Sequence, residues 1–299
     1  MEMVAAAKMR KATEVVIKTR TYSQVSWEIV LNLAKSVNAN TTPHPLLTKK
    51  KNVNNVGIIL ISSNRGLCGG FNTAIINKVI RSIKKYQETG EKKVNTDFIL
   101  LGKKGASIYR NYGYNIVADF PKMDLTPEFR EVVPVADMAI QGFLSGKYDK
   151  IMVAYTDFVN ASVQTPHVKQ LLPIDIDAMG EYLGIAGQDT RIGVGKKFIE
   201  EKEKEHLGYK DFRYKYVLEP SPEEVLDAMI PKLIQIQLYQ ALLESSASEH
   251  GARMTAMHKA TDAASDMSDE LTLFYNKERQ AAITAEIAEI SAGADALAK

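Results

Sequence analysis

Apolar and polar positions follow one rhythm at the two ends of the chain and another in its middle. From residue 1 to residue 37 there is neither Gly nor Pro, and Ala12, Val15, Thr19, Tyr22, Ser26, Ile29 and Leu33 recur at steps of three and four. That spacing predicts one long helix with a narrow packing seam. Asn38, Asn40, Pro43 and Pro45 then stop its propagation. A second helix is predicted from Ser221-Pro222-Glu223-Glu224, with Ser221 as N-cap, proline at the first helical position and Glu224 set for a capping box. Its seam runs through Leu226, Met229, Leu233, Ile236, Gln240, Leu243, Ala247, His250, Met254 and Met257, with polar Gln240 and His250 interrupting it. Continued to the end of the chain, this helix has roughly 75 residues and a length on the order of 110 Å, more than one globular domain spans.

Between the helices the period changes. Residues 53–62 read as a buried strand, 73–86 as a helix, 97–101 as a strand, 105–112 as a helix, 114–118 as a strand, 134–144 as a helix and 150–155 as a strand, followed by a final pair around 161–173. Strands alternating with helices predict a sheet with helices on its faces. Residues 175–211, rich in Gly and carrying a charged run, show no period and read as an irregular insertion. The fold class is therefore α/β: a long antiparallel coiled coil of the N- and C-terminal helices plus a central alpha/beta domain. The expected domains are a helix over 1–40, a Rossmann-like foot domain over 52–220 with its insertion, and a helix over 221–298. The terminal helices pair only if the middle domain returns the chain near its start. The plainer alternative for each seam is an ordinary amphipathic core helix, against which the length weighs.

Composition removes several classes of function. With 38 Lys plus Arg against 36 Asp plus Glu, the net charge of +2 favours no nucleic-acid partner. The apolar run over 56–61 is far too short to cross a bilayer. Residues 1–11 lack the features of a secretory signal, so the chain is expected to stay cytosolic. Cys68 is the single cysteine, which excludes an internal disulfide and a regulatory dithiol.

Candidate chemistry is sparse. Asn64-Arg65-Gly66-Leu67-Cys68-Gly69-Gly70-Phe71-Asn72 lies between a predicted strand and helix, where a phosphate loop would sit, but it has neither G-x-G-x-x-G spacing nor a terminal Gly-Lys-Ser/Thr. Its glycines are expected to serve positive φ and close backbone contact, and Arg65 to meet a neighbour. Gly193-Val194-Gly195-Lys196-Lys197 fails the same test. His44, His167, His206, His250 and His258 form no metal-binding pair, and Glu223, Glu224 and Asp227 are explained by the helix dipole. No catalytic residue, metal site or bound cofactor is assigned. A nucleotide-binding alpha/beta module and a coiled-coil scaffold remain as alternatives.

The loop from Ser63 to Asn72 resembles the glycine-rich signature of F-type ATP synthase gamma subunits, which usually has Asp where Asn64 stands, and the run from Ile283 to Ala296 resembles that family's terminal signature. The opening segment Met1 to Lys11 and the segment Ser246 to Met254 are similar to its two terminal helices. The family carries a further basic stretch before this Met-Glu-Met, so either the start lies upstream or the tip of one helix has been lost. The resemblance implies a rotating central stalk that couples ion-driven rotation of a c ring to conformational cycling of catalytic beta subunits, at the inner membrane of a bacterial-type cell. The expected partners are the alpha and beta subunits, epsilon and the c-subunit ring, with membrane association only through that ring. Carried over by position, Arg253, Gln280, Thr284, Lys8 and Met1 would contact the alpha/beta head. Tyr216 and Glu219 would meet epsilon and the c ring, and Arg65, Gly66, Gly69 and Gly70 would form the signature loop.

Overall fold

The computed structural model describes residues 1–37, 44–50, 53–89, 94–124, 127–174, 219 and 221–297. The expected insertion over 175–211 and Tyr216 lie outside the described residues. In chain order the elements are α1 (Glu2–Val37), a 3-10 turn (Pro45–Leu47), β1 (Asn55–Ile61), α2 (Phe71–Thr89), β2 (Asn95–Leu101), a 3-10 turn (Lys103–Ala106) leading into α3 (Ser107–Tyr112), β3 (Asn115–Phe120), α4 (Phe129–Leu144), β4 (Lys150–Phe158), β5 (Gln164–Leu172) and α5 (Pro222–Leu297). The chain divides into two compact units, Met1–Thr255 and Ala256–Lys299.

In the first unit the strands form one sheet in the order β3-β2-β1-β4-β5. β1 pairs in parallel with β2 and β4, β2 in parallel with β3, and β5 runs antiparallel to β4. The central strands read as continuous apolar runs because both faces are covered. Ile58, Leu60, Phe98 and Leu100 face Ile75 and Val79 of α2 and Ile108 of α3. Ile59, Ile61, Ile99 and Leu101 face the other way, against Val132, Val135 and Ala139 of α4 and Leu233, Leu238 and Leu242 of α5. Each fully buried Leu or Ile in these layers contributes about 1.5–3 kcal/mol relative to an exposed one.

Several boundaries differ from the sequence expectation for identifiable reasons. α4 starts a turn before Pro134 because Glu128 and Glu131 make a reciprocal capping box. The expected final pair around 161–173 is one strand, β5, since the Asn160 side chain accepts from the Ser162 and Val163 amides at 2.9 and 2.7 Å and closes a tight turn. Ser221 caps α5 as expected, with the Glu224 amide donating to its Oγ at 3.2 Å.

The terminal helices meet antiparallel. Ala12 and Val16 of α1 pack with Leu243 and Ala247 of α5 and with Phe158 at the end of β4. Thr19 Oγ1 lies 2.9 Å from Gln240 Oε1. The expected seam on α5 is too narrow, however: all side chains from Gln240 to His250 are buried. Sheet, α4 and α1 enclose this stretch from several sides, so a single stripe does not describe it.

In the second unit, Ala256–Lys299, the described residues belong to α5, with Met267, Leu271, Phe274, Tyr275, Ile287 and Ile290 exposed. No helix among the described residues is long and apolar enough to cross a membrane.

Candidate functional site

The loop after β1 is built from its own side chains. Ser62 is fully buried, its Oγ donating to Gly102 O at 2.7 Å and accepting from the Gly105 amide at 2.9 Å. This ties the end of β1 to the end of β2, and the approach is so close that a Cβ on Gly102, whose φ is +103°, would lie 2.4 Å from Ser62 O. Only glycine fits there. Ser63 Oγ donates to Arg65 O at 2.7 Å, and Asn72, in the first turn of α2, accepts from the Ser63 amide at 3.1 Å and donates to the Ser63 hydroxyl at 2.7 Å. The loop is thus closed before it meets anything else. Positive φ occurs at Gly69 and, unexpectedly, at Leu67, rather than at Gly66 or Gly70. Gly66 and Gly70 therefore owe nothing to the left-handed backbone expected of them.

The segment after β3 and the middle of α5 close on this loop. Asn64 Nδ2 donates to Lys122 O and, at 2.8 Å, to Asp124 Oδ1. Arg65 pairs with Asp124 at 3.0 Å while remaining 80% exposed. Behind them Lys122 Nζ meets Glu249 Oε2 at 2.8 Å, with side chains only 2% and 7% exposed. The other carboxylate oxygen of Glu249 accepts from Arg253 at 2.8 Å. Arg253 Nη2 also donates to Arg65 O at 3.2 Å and Gly66 O at 3.4 Å, and its Nη1 stands 3.2 Å from His250 Nδ1. Lys8 of α1 reaches Asp124 O at 3.4 Å. A chain of charges, Lys122 to Glu249 to Arg253, therefore links three segments through the interior.

Electrostatics follow from that geometry. Burial alone raises the Glu249 carboxyl, but Lys122 and Arg253 outweigh it and hold the group below the usual carboxylate range. Burial pushes the His250 imidazole down to about 4 against the pull of Glu249, with Lys122, Arg253 and Lys8 acting in the same direction as burial. A neutral His250 then serves as acceptor for Arg253. The loop presents the carbonyls of Arg65 and Gly66 to a guanidinium, opposite in polarity to the amide-lined cradle that a phosphate needs.

The structure brings Arg65, Gly66, Arg253 and Lys8 into one neighbourhood, and Gly69 and Gly70 lead from it into α2. Arg253, placed by resemblance at a contact with partner subunits, has a side chain 15% exposed and is engaged within its own chain. Met1 and Glu219 are exposed, and Gln280 and Thr284 are exposed in the second unit, where Thr284 Oγ1 donates to Gln280 O at 2.8 Å. Sequence reasoning missed Lys122, Asp124 and Glu249 as a group. The demand is tertiary: with 240–250 buried on several sides, an acid among Ser and Ala requires a cationic partner, but the sequence does not show that burial.

The family model described as ATP synthase matches residues 1–297. The chain is 35% identical to the ATP synthase gamma chain of Legionella pneumophila over 297 residues, which is 99% of this chain and 92% of that protein. It is 35% identical to that of Chloroflexus aurantiacus, covering 99% and 91%. Among solved structures, the central stalk and c-ring of Tetrahymena thermophila mitochondrial ATP synthase contains a chain similar to this one with TM-score 0.59 at 22% identity, covering 87% of this chain and 97% of that one. A chain of the Euglena gracilis mitochondrial enzyme gives 0.55 at 16% identity, covering 99% and 94%. These two likenesses establish the fold, and the matches over nearly the whole chain go further: the chain belongs to the ATP synthase gamma chain family.

Proposed function

We propose that this chain is the rotating central stalk of an ATP synthase, with no catalytic site and no bound cofactor of its own. The observation that carries the reading is the second unit: a helix whose large apolar side chains are exposed along its length, a surface that calls for surrounding partners. In this reading alpha and beta subunits enclose that helix, and the sheet-bearing unit takes up rotation from a c ring beside epsilon. The stalk acts by differential contact: a partner shifts a conformational equilibrium only as far as its contact energy differs between the states. An asymmetric helix turning inside a ring of beta subunits favours a different state in each. Membrane association is then peripheral, through the c ring, on the inner face of the cell membrane.

The chain purified alone should hydrolyse no ATP above background, and mixing it with alpha and beta subunits should give a stable complex with sustained turnover. Robust hydrolysis by the isolated chain, or failure to join alpha and beta, overturns the reading.

A further inference from the structure

We infer that Lys122 and Glu249 are positioning residues that form, with Arg253, a torsional lock between the sheet and helix α5; this rests on the stalk reading above. Torque entering the sheet can reach the far part of α5 only if the helix cannot turn about its own axis against the strands. Apolar burial is non-directional, so interdigitated packing sets no particular angle by itself and leaves a residual freedom to turn. Directional contacts resist rotation.

Two such contacts stand on opposite oxygens of one carboxylate. Glu249 accepts from Lys122, in the segment after β3, at 2.8 Å and from Arg253 at 2.8 Å. Arg253 passes the constraint on to the carbonyls of Arg65 and Gly66 in the loop after β1. That loop is itself pinned to β2 through Ser62 and Gly102 and to α2 through Asn72. The helix is therefore gripped from two segments that follow different strands. A third grip comes from Ser248 Oγ, which donates to Thr156 O of β4 at 3.2 Å. Three consecutive strands of the order β2-β1-β4, together with the segment after β3, are thus connected to the stretch of α5 from Ser248 to Arg253. The lysine and the carboxylate are nearly dry, so their attraction is little screened by salt. A buried ion pair is weak evidence for stability, and a role in fixing one register is the better-attested reason to keep one.

The test uses the complex with alpha and beta subunits, held on a surface by the catalytic ring, with a probe attached at a cysteine introduced for exposed Tyr109 in the sheet unit. The angular spread of the probe in the stalled complex reports torsional compliance. Glu249→Gln weakens the lock and leaves Lys122 without its charge partner. Lys122→Met with Glu249→Gln removes the driest charge together with its partner, while Arg253, which is 15% exposed, keeps the carbonyls of Arg65 and Gly66 as acceptors, so that the unfolding midpoint should lie closer to the parent's than that of the single variant. Both variants should widen the angular variance about twofold or more, as expected when charge-assisted contacts are lost. If compliance instead follows stability, high in the single variant and normal in the double, the pair merely supports folding and the lock is refuted. Unchanged variance in both refutes it as well. Failure of the parent chain to join alpha and beta overturns the stalk reading itself, and with it the inference.

Discussion

Helix α5 is one continuous element with two opposite surroundings. From Gln240 to His250 each side chain is buried, whereas from His258 to Ala294 every side chain except that of Asn276 is exposed. Intrinsic helix propensity does not separate the two stretches, for Ala and Glu recur in both. What differs is the source of stability. The first stretch gains it from packing within the chain, so its residues answer to volume and charge pairing. The second has only its own backbone and whatever encloses it in an assembly, so its residues answer to a partner's surface. The same substitution should therefore act on folding in one stretch and on assembled function in the other.

The largest expected effect tests this directly. Leu242 is fully buried between α5, α4 and the sheet, so Leu242→Ala should destabilise the isolated chain by about 3 kcal/mol in urea unfolding followed by circular dichroism. Ile287→Ala should change it by less than about 0.5 kcal/mol. Equal losses would erase the distinction.

Acid should also single out the buried stretch. His250 has its folded pKa near 4 against an ordinary 6.5, so the unfolded chain binds the proton first. Its contribution is complete above pH 6.5 and is lost as pH falls towards 4. By pH 5 the loss relative to pH 7.5 should be about 2 kcal/mol, and His250→Gln should flatten that slope. Glu249, held below its ordinary value of 4.5, keeps its contribution above that pH and loses it only as pH falls through the lower folded value. A urea midpoint independent of pH between 7.5 and 5 would show that His250 is solvated.

A smaller effect concerns the antiparallel contact with α1. Thr19→Val keeps the shape of the side chain but removes the hydroxyl, whose one proton is shared between Val15 O of its own helix at 2.8 Å and Gln240 Oε1 at 2.9 Å, and should cost about 1 kcal/mol in the same urea assay. A loss below measurement error would mean that the proton stays on Val15 O and that apolar packing alone joins the two helices here.

These contrasts mark what was legible in the sequence. Long periods without Gly or Pro gave both terminal helices, and continuous apolar runs such as 56–61 gave the central strands, because each is a local signal repeated over many residues. The boundary at Glu128 is weakly marked in the sequence, because a capping box with Glu in place of Ser or Thr is a faint signal beside the conspicuous Pro134. The neighbourhood of the signature loop was half visible. Arg65 and Arg253 stood out through resemblance, but the reason they lie together is tertiary: Glu249 and Lys122 are 127 positions apart, and no spacing rule connects them. Full burial of 240–250 was equally hidden, since a helix enclosed on several sides by small and polar residues shows no apolar stripe.

The smallest effect on folding should accompany an effect on function. Gln280 and Thr284 lie one turn apart on the exposed stretch, and the hydroxyl of Thr284 already donates to the Gln280 carbonyl at 2.8 Å. The Gln280 amide is exposed and can donate and accept towards a surrounding loop. Gln280→Ala should therefore leave the urea midpoint of the isolated chain within about 0.5 kcal/mol of the parent. In the complex with alpha and beta it should lower steady ATP hydrolysis several-fold, because loss of a hydrogen bond made more strongly in one rotor angle than another raises the barrier between them. Thr284→Val, whose hydroxyl is turned back onto its own helix, should lower turnover less. Unchanged turnover for Gln280→Ala in fully assembled complexes would mean that coupling rests on the apolar profile of the exposed helix, and substitution of Phe274 or Ile287 would then become the decisive measurement.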